Sequence, residues 1–225
     1  MEEKKFVQFK KQELAIREYV KQSLRKGQVS EVRIEYTPVG EKIVIATHKP
    51  GLVIGRKGER IAELTGFLKR EFKLENPHIE IEEIRNPQLD AQLVADNIAN
   101  SLESLGPLKF KVIAYSTMQR VIEAGAQGVE IRLSGKLPSD RAKSWRFATG
   151  YLKKVGDTAK VVEKAQAVAQ TKPGTVGIKV SILPPDALIH DKITVNEELL
   201  GKIRQTMLLE DAKVILKKTK SRRKA

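Results

Sequence analysis

The 225-residue sequence contains no cysteine. That absence excludes a disulfide framework, a cysteine-based zinc site, a thiolate nucleophile and an iron–sulfur cluster, and it is compatible with a cytosolic protein. Aromatic residues are scarce, at 5 % with a single Trp, which argues against the aromatic-anchored amphipathic helix of a membrane-surface protein. Long apolar runs are missing as well. The longest uncharged stretches, such as Val112 to Gln119, fall far short of the roughly 18 residues of a spanning helix. The start, Met1-Glu2-Glu3-Lys4-Lys5, opens with charge and leads into no apolar run of signal-peptide length. The only histidines, His48, His78 and His190, share no metal-ligand spacing. No Ser–His–Asp or His-Glu-x-x-His pattern occurs. The expectation is a protein that is not an enzyme, with no cofactor, no metal site and no membrane partner.

Positive charge is what the sequence has in surplus. Forty-two Lys and Arg against 28 Asp and Glu leave a net charge of +14, which points to a polyanionic partner. With membrane anchors absent, nucleic acid is the leading candidate. A hydrophobic content of 40 % supplies a real core and excludes wholesale disorder.

Along the chain, Phe6, Phe9, Leu14, Ile16, Val20 and Leu24 recur at near-helical steps over residues 4–26, with Gly27 as a stop. Residues 29–37 alternate apolar and charged, residues 42–47 carry Ile43-Val44-Ile45, and the turn Pro38-Val39-Gly40-Glu41 lies between them. This reads as strand, turn, strand. Ile61, Leu64, Leu68 and Phe72 predict a helix, residues 78–84 a half-exposed strand ended by Pro87, and Ala91 to Leu105 a helix closed by Gly106-Pro107. A helix over Lys109 to Ala124 and a strand over Val129 to Leu133 follow. Residues 135–157 read as basic and irregular. Ala159 to Thr171 suits either a helix or a strand face, and Val176 to Leu183 is a strand ended by Pro184-Pro185. The Gly106-Pro107 break is the best boundary, giving units of 1–106 and 107–185, with 186–225 as an extension. That extension holds one apolar patch around Val195 to Leu209 and ends in the basic run Lys217 to Lys224.

The segment Val53-Ile54-Gly55-Arg56-Lys57-Gly58-Glu59-Arg60-Ile61 carries the chemistry. It lies between a strand and a helix. Gly55 and Gly58 have no Cβ, so a sugar-phosphate chain can approach the backbone. The first-turn N–H groups and the helix dipole face an anion. Arg56 and Lys57 add charge without reading bases. A P-loop is excluded because Arg56 stands where its second glycine is needed, five residues after Gly51. A dinucleotide fingerprint is excluded because Val53 stands where a glycine two residues before Gly55 is needed. Gly-x-x-Gly alone also fits a plain strand-to-helix turn; the flanking apolar residues and the two preceding strands favour the backbone clamp.

The order helix, strand, strand, Gly-Arg-Lys-Gly, helix, strand resembles a type II KH domain, whose loop clamps about four backbone nucleotides. The block from Gly125 to Leu137, Gly-Ala-Gln-Gly-Val-Glu-Ile-Arg-Leu-Ser-Gly-Lys-Leu, resembles the central motif of ribosomal protein three of the small subunit. Arg141-Ala142-Lys143-Ser144 continues it in its archaeal and eukaryotic form, and Gly174 to Val180 is similar to that family's closing strand. The resemblance covers about residues 5–185. It implies an α+β fold: an N-terminal type II KH domain, a C-terminal mixed α/β domain with a small β-sheet, and an extended basic tail. It also makes Ala159 to Thr171 a strand.

For function, the resemblance implies a structural component of the head of the small ribosomal subunit, cytoplasmic and ribosome-bound. Its partners would be small-subunit ribosomal RNA, neighbouring head proteins, and mRNA at the channel by which it enters the subunit. In the bacterial pattern the helix opening the second domain carries Arg, Arg and Lys toward incoming mRNA. The equivalents here are Lys111, Val112 and Tyr115, of which only Lys111 keeps the charge, so any part in unwinding mRNA is in doubt or shared with partner proteins. The alternative is a free-standing KH regulator, which would usually join a further recognisable module; here the second half is the Gly125–Leu137 block instead.

The remaining candidates are basic clusters. Lys136, Arg141, Lys143 and Arg146 suit phosphate binding or a solvated loop. Trp145 and Phe147 among them suit packing more than base stacking. The six cations of Lys217 to Lys224 suit an extension that orders on RNA, a localisation signal or a solvated tail. Glu80, Glu82 and Glu83 suit a solvated strand face that would repel RNA and so help orient the domain.

Overall fold

The computed structural model describes residues 2–24, 26–38, 40–72, 74, 76–189, 200 and 203. The apolar patch around Val195 to Leu209, apart from Leu200 and Ile203, and the basic run from Lys217 lie outside them. Two sheets organise the chain, each with helices on one face; the other face is free of helices, and in the second sheet the link from residue 151 to 162 crosses part of it.

Helix α1 (Glu2–Ser23), strands β1 (Val29–Thr37) and β2 (Gly40–Thr47), the short helix α2 (Pro50–Ile54), helix α3 (Glu59–Glu71) and strand β3 (His78–Glu83) build the first unit. The sheet order is β1-β2-β3, with β1–β2 antiparallel and β2–β3 parallel. Ile16, Val20 and Leu24 of the first helical segment fall at four-residue steps, so they share one face. They meet Val32, Ile43 and Ile45 from the sheet and Leu64 and Leu68 from α3 in one buried cluster. Tyr19 of α1 stacks on Phe67 of α3 with ring centroids 3.9 Å apart. The alternation of β1 and β3 sends Glu31, Arg33, Glu35, Glu80 and Glu82 to the open side.

Helices α4 (Ala91–Leu105) and α5 (Phe110–Glu123) and strands β4 (Gly128–Gly135), β5 (Lys143–Gly150), β6 (Glu163–Thr171) and β7 (Gly174–Leu183) build the second core. The sheet is antiparallel throughout, in the order β5-β4-β7-β6. Val129, Ile131 and Leu133 of β4 and Val176, Ile178, Val180 and Ile182 of β7 point to one face, where Ala91, Val94, Ala95, Ile98, Ala99 and Leu102 of α4 cover them with Phe110, Ile113 and Ala114 of α5. The α+β reading holds, and Glu163–Thr171 is a strand, preceded by a short 3₁₀ turn at Asp157–Lys160.

Two expectations are corrected. The break at Gly106-Pro107 is a corner between two helices of one core, because the apolar stripe of α4 is buried against the second sheet. The change of core falls in the connection between β3 and α4, where Asp90 caps α4 by accepting from the N–H groups of Gln92 and Leu93 at 2.9 Å each. The polar side of α4 meets the first unit: Asp96 accepts from the Gly27 N–H at 3.1 Å, and Asn100 donates to the Lys26 carbonyl at 3.3 Å. The second correction concerns residues 135–157. They are not irregular throughout, since Lys143–Gly150 forms β5, paired along its whole length with β4. Its alternation was hidden because only Trp145 and Phe147 are large apolar residues facing inward.

Candidate nucleic-acid interface

The Gly55–Gly58 loop is a rigid corner between α2 and α3. Gly55 has φ 75° and ψ −174°, and a Cβ there would stand 3.1 Å from Cβ and Cγ of Arg60. Gly58 has φ 81° and ψ 10° with open space around it. The first glycine is therefore demanded by both backbone and contact, the second by backbone alone. Between them Lys57 takes φ 53° and ψ 22°, the one non-glycine residue with positive φ among those described. Such a conformation costs on the order of 1–3 kcal/mol and concentrates at functional sites. The corner is held from within: the Gly55 N–H donates to the Gly51 carbonyl at 3.0 Å, and the Arg60 guanidinium donates to the Leu52 carbonyl at 3.0 Å.

These constraints turn Arg56 and Lys57 outward. Both are exposed, and neither forms an ion pair with the described residues. Directly behind them α3 begins at Gly58 with no side chain capping its N-terminus. A 13-residue helix presents partial positive charge at that end. The arrangement offers an anion two exposed cations, backbone N–H groups and two glycines without Cβ atoms.

The second basic cluster separates into two parts. Lys136, Arg141 and Lys143 are exposed at the β4–β5 hairpin end, without ion pairs among the described residues. The hairpin is anchored by buried Leu137, whose carbonyl accepts from the Trp145 indole at 3.2 Å. Trp145 packs on Phe110 at 5.3 Å between ring centroids, and Phe147 meets Tyr115 edge-on at 5.2 Å. Both aromatics are thus committed to packing. The Lys111 ammonium lies 5.0 Å from the centre of the Trp145 ring, a cation–π contact. Beside it Val112 and Tyr115 are exposed.

Arg146 does not belong with the hairpin cations. It sits on the open face of the second sheet, where its guanidinium Nε is 3.1 Å from Oε1 of Glu130. Arg132 reaches the same carboxylate at 2.6 Å and Lys154 at 2.9 Å. Glu130 is only 5 % exposed. Burial alone would raise its pKa, but hydrogen bonds from Lys154, Arg146 and Arg132 outweigh that and hold it at about 2. The sequence marked Arg146 as a cation and missed Glu130, Arg132 and Lys154. The alternation of β4 placed Glu130 and Arg132 on one face, but which residues stand opposite them depends on strand register.

The open face of the first sheet has the reverse polarity. Lys42 pairs with Glu80 and lies 3.8 Å from Glu35, and Arg33 pairs with Glu31 at 2.7 Å. Glu82 adds a further exposed carboxylate on that face. No group of three or more His, Asp or Glu suited to a metal ion occurs among the described residues, and no described helix is long and apolar enough to cross a membrane.

Comparison with known proteins agrees with this geometry. The KH-domain family profile matches residues 15–89, and the profile of the C-terminal domain of ribosomal protein S3 matches residues 98–182. The first match ends just before Asp90, the cap of α4, and the second begins within α4. The small ribosomal subunit protein uS3 of Methanocaldococcus jannaschii is 44 % identical over 199 residues, covering 88 % of this chain and 95 % of that protein. The uS3 protein of Methanococcus maripaludis strain C5 is 38 % identical over 213 residues, covering 94 % and 99 %. That of Methanosphaera stadtmanae is 36 % identical over 211 residues, covering 93 % and 83 %. The two family matches and these likenesses over nearly the whole length establish that the chain belongs to the small ribosomal subunit protein uS3 family.

Proposed function

We propose that this protein is a structural component of the small ribosomal subunit head that grips ribosomal RNA by its backbone through the Gly55–Gly58 loop. The observation that carries the reading is the loop itself: two positive-φ glycines around a strained Lys57, with Arg56 and Lys57 exposed and without an ion pair among the described residues at the start of α3. Phosphates gain charge neutralisation there, and the absence of Cβ atoms lets the sugar-phosphate chain lie on the main chain. Lys136, Arg141 and Lys143 extend the phosphate-binding surface at the β4–β5 hairpin. Such contacts position RNA rather than read its bases. The protein works in the cytoplasm, bound to the ribosome beside other head proteins.

The same reading extends to mRNA at the channel by which it enters the subunit. Lys111 on α5 supplies one cation to that contact, steadied by the Trp145 ring. Val112 and Tyr115 add exposed surface without charge, so electrostatic pulling on structured mRNA is shared with neighbouring proteins.

Replacing Arg56 and Lys57 by Asp tests the clamp. Affinity for an rRNA fragment of the subunit head is expected to fall. The slope of log K against log salt should shrink by about 1.4, from about 0.7 per phosphate contacted, while the circular dichroism spectrum is unchanged. Unaltered binding would refute the clamp. Co-sedimentation with small subunits after a moderate salt wash tests the assembly; recovery only in the free fraction would favour a free-standing regulator.

A further inference from the structure

The two sheets carry opposite charge on their open faces, and the basic one is organised beyond what folding needs. Across the second sheet Arg132 stands directly opposite Arg146 on β5 and Lys179 on β7, and Lys179 stands opposite Gln166 on β6. Like charges directly opposed on neighbouring strands destabilise a sheet; Glu130 offsets this for Arg132 and Arg146, but Lys179 has no ion pair among the described residues, so its place in the row has no justification in the fold alone. In the next row Glu130 faces Ser181, and Ser181 faces Lys164.

Topology then shapes this face. Strands β5 and β6 occupy opposite edges of the sheet, so the segment linking them must cross β4 and β7. It crosses over the Glu130 row, burying that carboxylate and leaving a cleft of about 230 Å³ beside it. Leu152, Lys153, Lys154 and Val162 line one side of the cleft, and Arg132, Lys164, Lys179 and Ser181 line the other. Glu130 fixes Arg132, Arg146 and Lys154 in place by direct ion pairs, but it cancels only one of their three charges. Lys164 and Lys179 have no ion pair among the described residues.

We infer that the open face of the second sheet is a second binding site for the phosphate backbone of ribosomal RNA, built from Arg132, Arg146, Lys154, Lys164 and Lys179 around the buried Glu130. The proposal rests on the rRNA-binding reading above, but on a surface separate in sequence and fold from the Gly55–Gly58 loop. An RNA backbone fits better than an acidic protein segment. A protein interface needs an apolar or aromatic centre; the strands here offer Ser134, Ser144, Gln166, Gly177 and Ser181 between these cations, with the small Ala148 beside Glu130 and the exposed Val168 only on the edge strand β6. Hydroxyl and amide side chains beside Lys and Arg are the usual partners of phosphate and ribose oxygens. Cations held by strands and by a buried carboxylate also lose little freedom when the anion arrives.

The test is the full-length double variant Arg132→Gln, Lys179→Gln, measured with an rRNA transcript of the subunit head over a salt series. Removing two opposed cations relieves repulsion and leaves Arg146 and Lys154 on Glu130, so the protein is expected to fold normally. Affinity should fall about tenfold near 0.15 M salt and the salt slope should drop by about 1.4. The charge-conserving pair Arg132→Lys, Lys179→Arg should restore most of the slope. If Arg132→Gln, Lys179→Gln binds like the parent while Arg56→Asp, Lys57→Asp is weakened, the sheet site is refuted and the loop clamp stands. If neither variant is weakened, the rRNA-binding reading fails and this site falls with it. A photo-crosslinker at position 166 in reconstituted subunits gives an independent answer: attachment to rRNA supports the site, and attachment to protein alone overturns it.

Discussion

Replacing Glu130 by Gln separates the structural and electrostatic roles of the second sheet. In the native fold the carboxylate is 5 % exposed and receives Arg132, Arg146 and Lys154 at 2.6, 3.1 and 2.9 Å. Its pKa is held at about 2 against an ordinary 4.5. At about 1.36 kcal/mol per pH unit, that difference corresponds to roughly 3 kcal/mol. The three cations are themselves about half exposed, at 51, 54 and 48 % of their side chains, so solvent screens the attraction and leaves about 1–2 kcal/mol. Glu130→Gln is therefore expected to lower stability at pH 7 by about 1–2 kcal/mol, moving a urea midpoint by about 0.5–1 M with an unchanged slope. The pH dependence has a definite sign. A carboxylate with a depressed folded pKa stabilises fully above its unfolded value, near 4.5, and loses that contribution as pH falls toward 2. Parent and variant should differ at neutral pH and converge by about pH 2. Urea unfolding followed by circular dichroism at pH 7, 5, 4 and 3 reads this directly. Equal stability at pH 7, or a difference that does not shrink on acidification, would refute the assignment of Glu130 as the anchor of the three cations.

Three other perturbations probe the elements that position the surfaces. Gly55→Ala should destabilise by about 1–3 kcal/mol, since it adds a forbidden backbone conformation to a 3.1 Å contact with Arg60; Gly58→Ala, with open space around it, should cost only about 1 kcal/mol, and thermal unfolding of the pair checks the order. Asp90→Ala removes the cap of α4 and should cost about 1–2 kcal/mol; an unchanged melting temperature would count against that cap. Ile131→Ala empties a fully buried position of β4 and should cost about 2–5 kcal/mol in urea unfolding, more than Val112→Ala on the exposed face of α5.

Much of this protein is legible in its residues because burial leaves a periodic trace. The strands at Val29–Thr37 and His78–Glu83 alternate, and the stripes on α1, α3 and α4 recur at helical steps. The Gly-Arg-Lys-Gly loop is visible because its glycines answer to local backbone geometry, as the positive φ of Gly55 and Gly58 shows. The boundary at Gly106-Pro107 misled for a related reason. A Gly-Pro pair ends a helix by local chemistry and says nothing about which core that helix serves. Strand β5 stayed hidden because its inward positions hold Trp145 and Phe147 amid exposed neighbours, and the short α2 is a single turn around Val53.

The sequence by itself determined the charge surplus, the Gly-Arg-Lys-Gly loop and most of the elements, since each depends on composition or on neighbours a few residues apart. Only the tertiary structure decided where that charge is organised. Arg132, Arg146 and Lys179 lie far apart along the chain and share one row because β4 pairs in register with both β5 and β7. Glu130 is buried because the link between edge strands crosses above it, and strand order is a property of pairings between distant segments that no local pattern records.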